Sequence, residues 1–337
     1  MSKTILSLIQ PTGEMHLGNY FGAVKNWVDL QENHTCIFGV ADYHTMTMPY
    51  DASQQIDNTW EMVFRLIATG VKPENLFIQS LVPEHTELCW ILSNVCSSGE
   101  LSRMTQYKDK SQQNQESNSD SLVSAGLLFY PVLQAADILI YHADFVPVGK
   151  DQDQHLELSR NIAARFNSTF NVDYFKHPAS QFTEFPKIYS LADPFKKMSK
   201  SLGPKHYINL FGDKAQVTKQ IKSAVTDSGP TTDGTISQGV NNLFTLLTAL
   251  GFHHQVEEFK TAYFSGTLMY GTLKNRVAEA ITELTEKMNE RLNQVHQSKE
   301  QYIQQIYASS EHKREIAANT LKEVRAIIGM PPLKLKA

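Results

Sequence analysis

Two short segments, far apart in a chain of 337 residues, carry side chains that could handle a polyphosphate. The first is Pro11-Thr12-Gly13-Glu14-Met15-His16-Leu17-Gly18-Asn19. It joins an apolar, strand-prone run, Thr4–Ile9, to a segment with helical spacing, Gly18–Leu30. Parallel sheets hold phosphates at such corners, beyond a strand's C-terminus and close to a helix N-terminus. Gly13 and Gly18 would let the backbone approach a ligand. His16 and Asn19, three apart at the helix start, could aim N–H donors at one anion. The same string also suits an ordinary strand–turn–helix corner, and no GxxxxGK or GxGxxG run is present to mark a P-loop or dinucleotide site. The second segment is Lys196-Lys197-Met198-Ser199-Lys200-Ser201, followed by Gly203-Pro204. Three lysines among hydroxyls make a positive loop rich in donors, suited to a phosphate chain whose charge grows as pyrophosphate departs. A lysine run by itself is more often a solvated loop.

The elements that would position these segments alternate. After Thr4–Ile9 and the Gly18–Leu30 helix, which places Tyr20, Val24, Trp27 and Leu30 on one face, come a strand at Cys36–Val40 and a helix at Asn58–Thr69. A strand at Asn75–Leu81 and a helix at Thr86–Val95 follow. Alternation of this kind predicts a parallel sheet with crossover helices. Ser111–Ser121 is almost wholly polar and reads as a loop. Ala125–Tyr141 is apolar, with a break expected at Pro131. Asp151–Phe166 reads as a helix with an acidic start, and Lys187–Ala192 as a further strand. Beyond residue 205 the pattern is helical only, with a stripe at Val277, Ile281, Leu284, Met288, Leu292 and Val295 and a second helix ending at Gly329.

Composition narrows the classes. At 41% hydrophobic and 20% charged, the chain can bury a sizeable core, which excludes disorder and fibrous repeats. Net charge is −4, with the acidic excess before residue 205, so a polyanion would have to be held by local patches. Cys36, Cys89 and Cys96 are too few for a disulfide scaffold and show no C-x-x-C spacing. Seven apart, Cys89 and Cys96 are expected on one buried helix face as reduced thiols. No secretory leader or membrane-length apolar run is evident, so a soluble, cytoplasmic setting is expected.

Taken together, His16-Leu17-Gly18-Asn19 and Lys197-Met198-Ser199-Lys200-Ser201 resemble the two signatures of the class I aminoacyl-tRNA synthetases. The strings PTGEMHLGNY, YPVLQAADIL and VPVGKDQDQH are similar to the tryptophan branch of that family, and the resemblance spans nearly the whole chain. It implies a Rossmann-like class I catalytic domain with a parallel sheet over residues 1–205, including a connecting and dimer-interface segment at about 100–145. An all-helical tRNA-binding domain would follow over 206–337. It implies ATP, accompanied by Mg²⁺, lying across Gln10, Pro11, Thr12, Gly18, Asn19, Gly149, Lys150, Asp151, Ile188 and the loop Lys197, Met198, Ser199, Lys200 and Ser201. His16, Asn19, Lys197 and Lys200 would stabilise the reacting phosphates, with Lys110 a further candidate. The partners implied are L-tryptophan, tRNA and a second copy of the chain.

For the amino acid, the resemblance points to Asp137. Indole offers one N–H donor and no acceptor, so a carboxylate in an apolar pocket would select it. Tyr130, Gln134, Val146, Val148, Gln152 and His44 are the accompanying pocket candidates, with Leu133 a further wall residue. Several positions depart from the family pattern: Asn19 ends the first signature in place of His, Leu6 and Leu8 replace the usual aromatic and Gly, Gln134 replaces Met, and Lys150 replaces Glu. The spacing Tyr130, Gln134, Asp137 also suits a tyrosine-specific synthetase. A non-catalytic tRNA-binding paralogue would keep much of the same pattern, and a small nucleotidyltransferase would share the corner at His16–Gly18. For tRNA phosphates the candidates are Lys274, Arg276, Lys313, Arg314, Lys322 and Arg325.

Overall fold

The computed structural model describes residues 2–108, 123–148, 153–182, 187–227 and 234–332. Five parallel strands form one sheet: β1 Thr4–Ile9, β2 Thr35–Val40, β3 Leu76–Ile78, β4 Phe145–Val148 and β5 Ala179–Phe182, in the order β3-β2-β1-β4-β5. Chain order runs outward from β1 in both directions. The crevice beyond the C-termini of β1 and β4 is therefore the topological switch point, where sheets of this kind bind ligands.

Burial explains most of these elements. In β1, Ile5 and Leu6 are buried, and in β2 every residue after Thr35 is buried. Gly39 has to be glycine, because a Cβ there would lie 2.6 Å from the Phe77 ring. β3 is shorter than the expected Asn75–Leu81, since single 3₁₀ turns at Pro73–Asn75 and Gln79–Leu81 bracket it. Its outer edge is covered by the long helix Lys299–Ile327, and the Ile78 N–H donates to Ser310 Oγ at 3.3 Å. An edge strand capped in this way offers no template for pairing with another chain.

Several expectations are corrected. The Gly18–Leu30 helix is divided into Leu17–Asn19, a π-helical turn at Tyr20–Val24, and Lys25–Leu30. Within the wider turn the buried position falls on Phe21, not Tyr20. Pro131 does not break its helix. Ala125–Leu139 is continuous, capped by Ser124, whose hydroxyl accepts the Leu127 N–H at 3.1 Å. Proline inside a helix costs about 3 kcal/mol, but this helix is buried between Glu84–Ser93 and Asp153–Phe170, and packing offsets the loss. Lys187–Ala192 contributes only one bridge, Tyr189 to Lys197, instead of a strand. The helix carrying Cys89 ends at Ser93, so Cys96 lies beyond it and both thiols are only half-buried. Cys36, in β2, is fully buried, and burial pushes all three thiols up, to about 11 for Cys36 and Cys96 and about 12 for Cys89.

After residue 205 the described chain is helical: Lys214–Lys222, Gln238–Ala249, His253–Phe264, Tyr270–Gln297 and Lys299–Ile327. Five members of the predicted stripe are buried and Leu284 is half-buried. That stripe packs on Ala52–Thr69 and on Lys214–Lys222. One apolar core thus runs from β1 and β2 into the C-terminal helices. A second fills the other side of the sheet and includes Ala317, Leu321 and Val324.

Candidate active site

The two lysine- and histidine-bearing segments meet. One cavity of about 610 Å³ at the switch point is lined by His16, Gly18 and Asn19 from the first, with Gln10 just before it, and by Lys197, Met198 and Ser199 from the second. Backbone bonds lace the corner in place. The Leu17 N–H donates to the Ile208 carbonyl at 2.9 Å, and the Leu210 N–H to the Met15 carbonyl at 2.8 Å. Gly18 is needed because a Cβ would sit 2.9 Å from His16 Nδ1 and 3.5 Å from the Met198 Cβ. Met198 is buried and anchors the lysine loop through its N–H, which donates to the Ile188 carbonyl at 3.0 Å. Ile188 is itself buried and lines the cavity.

His16 and Asn19 cap each other. The Asn19 N–H donates to His16 Nδ1 at 3.2 Å, and the His16 N–H donates to Asn19 Oδ1 at 3.2 Å. With Nδ1 accepting, the ring's proton must sit on Nε2. Burial, followed by the charges of Lys200 and Lys197, lowers the His16 pKa to about 4. The ring is therefore a neutral N–H donor near pH 7. Lys200 reaches back across the corner, donating to the Thr12 carbonyl, to Thr12 Oγ1 at 3.3 Å and to the Glu14 carbonyl at 2.9 Å. Burial lowers its pKa. Ser201 lies against Ser199, with their hydroxyls 2.9 Å apart. Pro11, Thr12, Lys200 and Ser201 stand beside the cavity and do not line it.

The other end of the cavity is lined by Leu6, Leu8, His44, Tyr130, Gln134, Asp137 and Val146. Asp137 is 1% exposed. Its Oδ2 accepts from His44 Nε2 at 2.8 Å, and its Oδ1 from Gln79 Nε2 at 2.7 Å and His85 Nδ1 at 2.6 Å. Burial alone would raise this carboxyl's pKa, but the hydrogen bonds from His44 and His85 hold it well below the ordinary range. Burial pushes the Tyr130 phenol up to about 12. Its hydroxyl lies 2.8 Å from His155 Nε2 and donates to Gln106 Oε1 at 3.0 Å.

Sequence reasoning missed Gln79, His85, Gln106 and Asn242. Asn242, from the helix Gln238–Ala249, clamps the Tyr189 backbone through both ends of its amide at 3.0 Å. A polar Gln directly after the apolar run Leu-Phe-Ile, at a strand's C-terminal end, is the signal that could have found Gln79. Val148 closes β4. Lys110, Gly149, Lys150, Asp151 and Gln152 lie outside the described residues. Among the described residues, no group of three His, Cys, Asp or Glu side chains could hold a metal ion.

Residues 2–286 match the family described as tRNA synthetases class I (W and Y). The tryptophan–tRNA ligase of Halalkalibacterium halodurans is 41% identical over 340 residues, covering 98% of each chain, and that of Clostridium perfringens is 42% identical over 335 residues with the same coverage. Among solved structures, the tryptophanyl-tRNA synthetase of Mycoplasma pneumoniae superposes with a TM-score of 0.87 at 35% identity, over 98% of this chain and 99% of that one. The Campylobacter jejuni enzyme, solved with ADP and tryptophan, gives 0.81 at 31% identity over 97% and 100%. An Aeropyrum pernix tyrosyl-tRNA synthetase shares the fold at 19% identity, with a TM-score of 0.67. A Rossmann-ordered sheet, an ATP-sized cavity joining both signatures, and full-length similarity to these ligases together place the chain in the class I aminoacyl-tRNA synthetase family of tryptophan and tyrosine.

Proposed function

We propose that this chain is a tryptophan–tRNA ligase. The tryptophan carboxylate attacks the α-phosphate of ATP, pyrophosphate leaves, and the resulting tryptophanyl-adenylate yields its aminoacyl group to the terminal ribose hydroxyl of a tRNA, releasing AMP. Chemistry of this sort needs mainly alignment and charge stabilisation. The His16 Nε2–H, the Asn19 amide and the ammonium groups of Lys197 and Lys200 are donors suited to the phosphates, with Gln10 and Ile188 flanking the nucleotide. Mg²⁺ would accompany the ATP phosphates, where it would help neutralise the charge of the departing pyrophosphate.

One observation carries this reading: a single cavity has phosphate donors at one end and, at the other, a buried carboxylate with an acceptor for one N–H. The test is amino-acid-dependent exchange of labelled pyrophosphate into ATP. Tryptophan drives it and tyrosine does not. Exchange supported by tyrosine alone would reverse the assignment.

The tRNA is assigned to the helical part, residues 206–337. Four of the six basic candidates there are engaged within the fold. Lys313 donates to the Glu74 carbonyl, Arg314 pairs with Glu84, Arg325 pairs with Glu87, and Arg276 bonds Gln255 at 2.7 Å. Lys274 and Lys322 make no ion pair among the described residues and remain the candidates for phosphate contact. A homodimer is supported by exposed Trp90 and Phe129, on two helices that pack together at and next to the 100–145 segment. Sedimentation of the full chain tests it. No helix of the described residues is long and apolar enough to cross a membrane, and a cytoplasmic location fits the substrates.

A further inference from the structure

We propose that Gln79 is a positioning residue for amino-acid selection: its amide, with His85, saturates one oxygen of Asp137 so that the other alone reads the indole N–H. The inference rests on the reading of Asp137 as the group that recognises tryptophan.

An ionised carboxylate has about four acceptor positions, two on each oxygen. Oδ1 is filled by Gln79 Nε2 at 2.7 Å and His85 Nδ1 at 2.6 Å. Oδ2 takes one bond, from His44 Nε2 at 2.8 Å. One acceptor position therefore remains, on the oxygen that His44 shares. His44 and Asp137 both line the cavity, whereas Gln79 and His85 are wholly buried behind it. The two hidden donors turn a two-faced carboxylate into a single aimed acceptor.

The orientation of each donor is determined. Rotating the Gln79 amide by half a turn would press its oxygen against Asp137 Oδ1, acceptor against acceptor. In the orientation present, Gln79 Oε1 is buried without a partner. The fold thus tolerates an unsatisfied oxygen to keep Nε2 on Asp137, and such orphans are uncommon enough in folded proteins to need a reason. His85 Nε2 lies 2.9 Å from the Tyr141 hydroxyl. Because a carboxylate can only accept, Nδ1 must carry a proton and donate to Asp137, while Nε2 is steadied by the Tyr141 hydroxyl. Gln79 is held from behind as well, because the preceding N–H, that of Ile78, is capped by Ser310.

The consequence concerns discrimination more than rate. Removing the Gln79 donor opens a second acceptor position on Oδ1 and frees the carboxylate plane to turn. Tryptophan then loses part of its advantage over an analogue of the same shape without the N–H. The probe is β-(benzothiophen-3-yl)alanine, which carries sulfur where indole carries N–H. The measurement is kcat/KM in pyrophosphate exchange for tryptophan and for this analogue, in the wild type, in Gln79→Met and in Gln79→Asn. The wild type favours tryptophan, and both variants lower that ratio by about tenfold or more, through the KM for tryptophan, with the KM for ATP unchanged. A merely structural defect lowers both substrates alike and leaves the ratio intact, which overturns the proposal. If Gln79→Met does not fold, Gln79→Asn, which keeps the polarity but is one methylene too short to reach Asp137 Oδ1, decides the matter by the same ratio. A wild type that does not discriminate between the two substrates sinks the Asp137 reading itself, so the two failures are distinguishable.

Discussion

Lys200 holds Thr12 across 188 residues of sequence, donating from Nζ to the Thr12 carbonyl and Oγ1, and to the neighbouring Glu14 carbonyl. The bond ties the lysine loop to the strand–helix corner and satisfies a half-buried ammonium. It also sets a condition on chemistry: to meet a phosphate, Nζ has to exchange carbonyl acceptors for phosphate oxygens. Lys200→Met should therefore lose charge stabilisation at the departing pyrophosphate and slow adenylate formation by about 10²–10³-fold, the loss typical when one donor to a developing charge is removed. The KM for tryptophan should change far less. Pyrophosphate exchange measures both, and a kcat within about threefold of wild type would remove Lys200 from the catalytic set.

His16 gives a prediction in pH. Its folded pKa is lowered to about 4 by burial and by Lys200 and Lys197, against about 6.5 in the unfolded chain. Between those values the unfolded state binds the extra proton, so stability falls as pH drops from about 6.5 through 4. The full cost at the acid limit is roughly 3 kcal/mol. Following the His16 ring protons by NMR should give a midpoint near 4, and a midpoint above about 6 would show that the ring is not the neutral donor described.

How much is legible in the sequence depends on range. The corner at His16–Asn19, the loop at Lys197–Ser201 and Asp137 are legible because each sits in a short string with its own spacing. The residues that aim Asp137 are not. Gln79 and His85 follow a strand of ordinary composition, and only packing brings them to a helix more than fifty residues on. β4 and β5 carry weak signals, because FVPV contains proline and ASQF lacks an apolar run. Lys187–Ala192 resembles a strand by alternation, yet the sheet ends at β5, and its backbone is tied instead to Asn242 and the Lys196–Met198 segment. Pro131 reads as a break because the burial that outweighs it is supplied by two other helices.

Asp137 should matter to stability as well as selection. Asp137→Ala leaves the His44, His85 and Gln79 donors without an acceptor, three buried polar groups at once. Breaking a buried, hydrogen-bonded charge cluster from one side costs about 3–5 kcal/mol, to be read as a lower urea midpoint at neutral pH. The folded carboxyl is depressed below its unfolded value of about 3.9. Its contribution is therefore complete above that pH and declines as pH falls further. The wild type should lose stability along this acid limb more steeply than Asp137→Ala, and parallel curves would show that the carboxylate is not held ionised by its partners.

Lys313 separates structure from RNA binding. It lies on Lys299–Ile327, among residues suited by charge to a phosphate backbone, yet it is 6% exposed and donates to the Glu74 carbonyl and to Ser309 Oγ. Ser309 donates to the same carbonyl at 3.0 Å. These bonds fasten the helix to the turn that leads into β3, the strand preceding Gln79. A charged donor in such a position is worth about 1.5–3 kcal/mol. Lys313→Met should accordingly lower the denaturation midpoint while leaving tRNA affinity and its salt slope unchanged. Lys322→Ala should do the reverse, with a slope smaller by about one for each lost phosphate contact. Filter binding over a salt series, beside urea denaturation of both variants, measures the four quantities, and a reduced salt slope in Lys313→Met with unaltered stability would move Lys313 from the fold to the RNA surface.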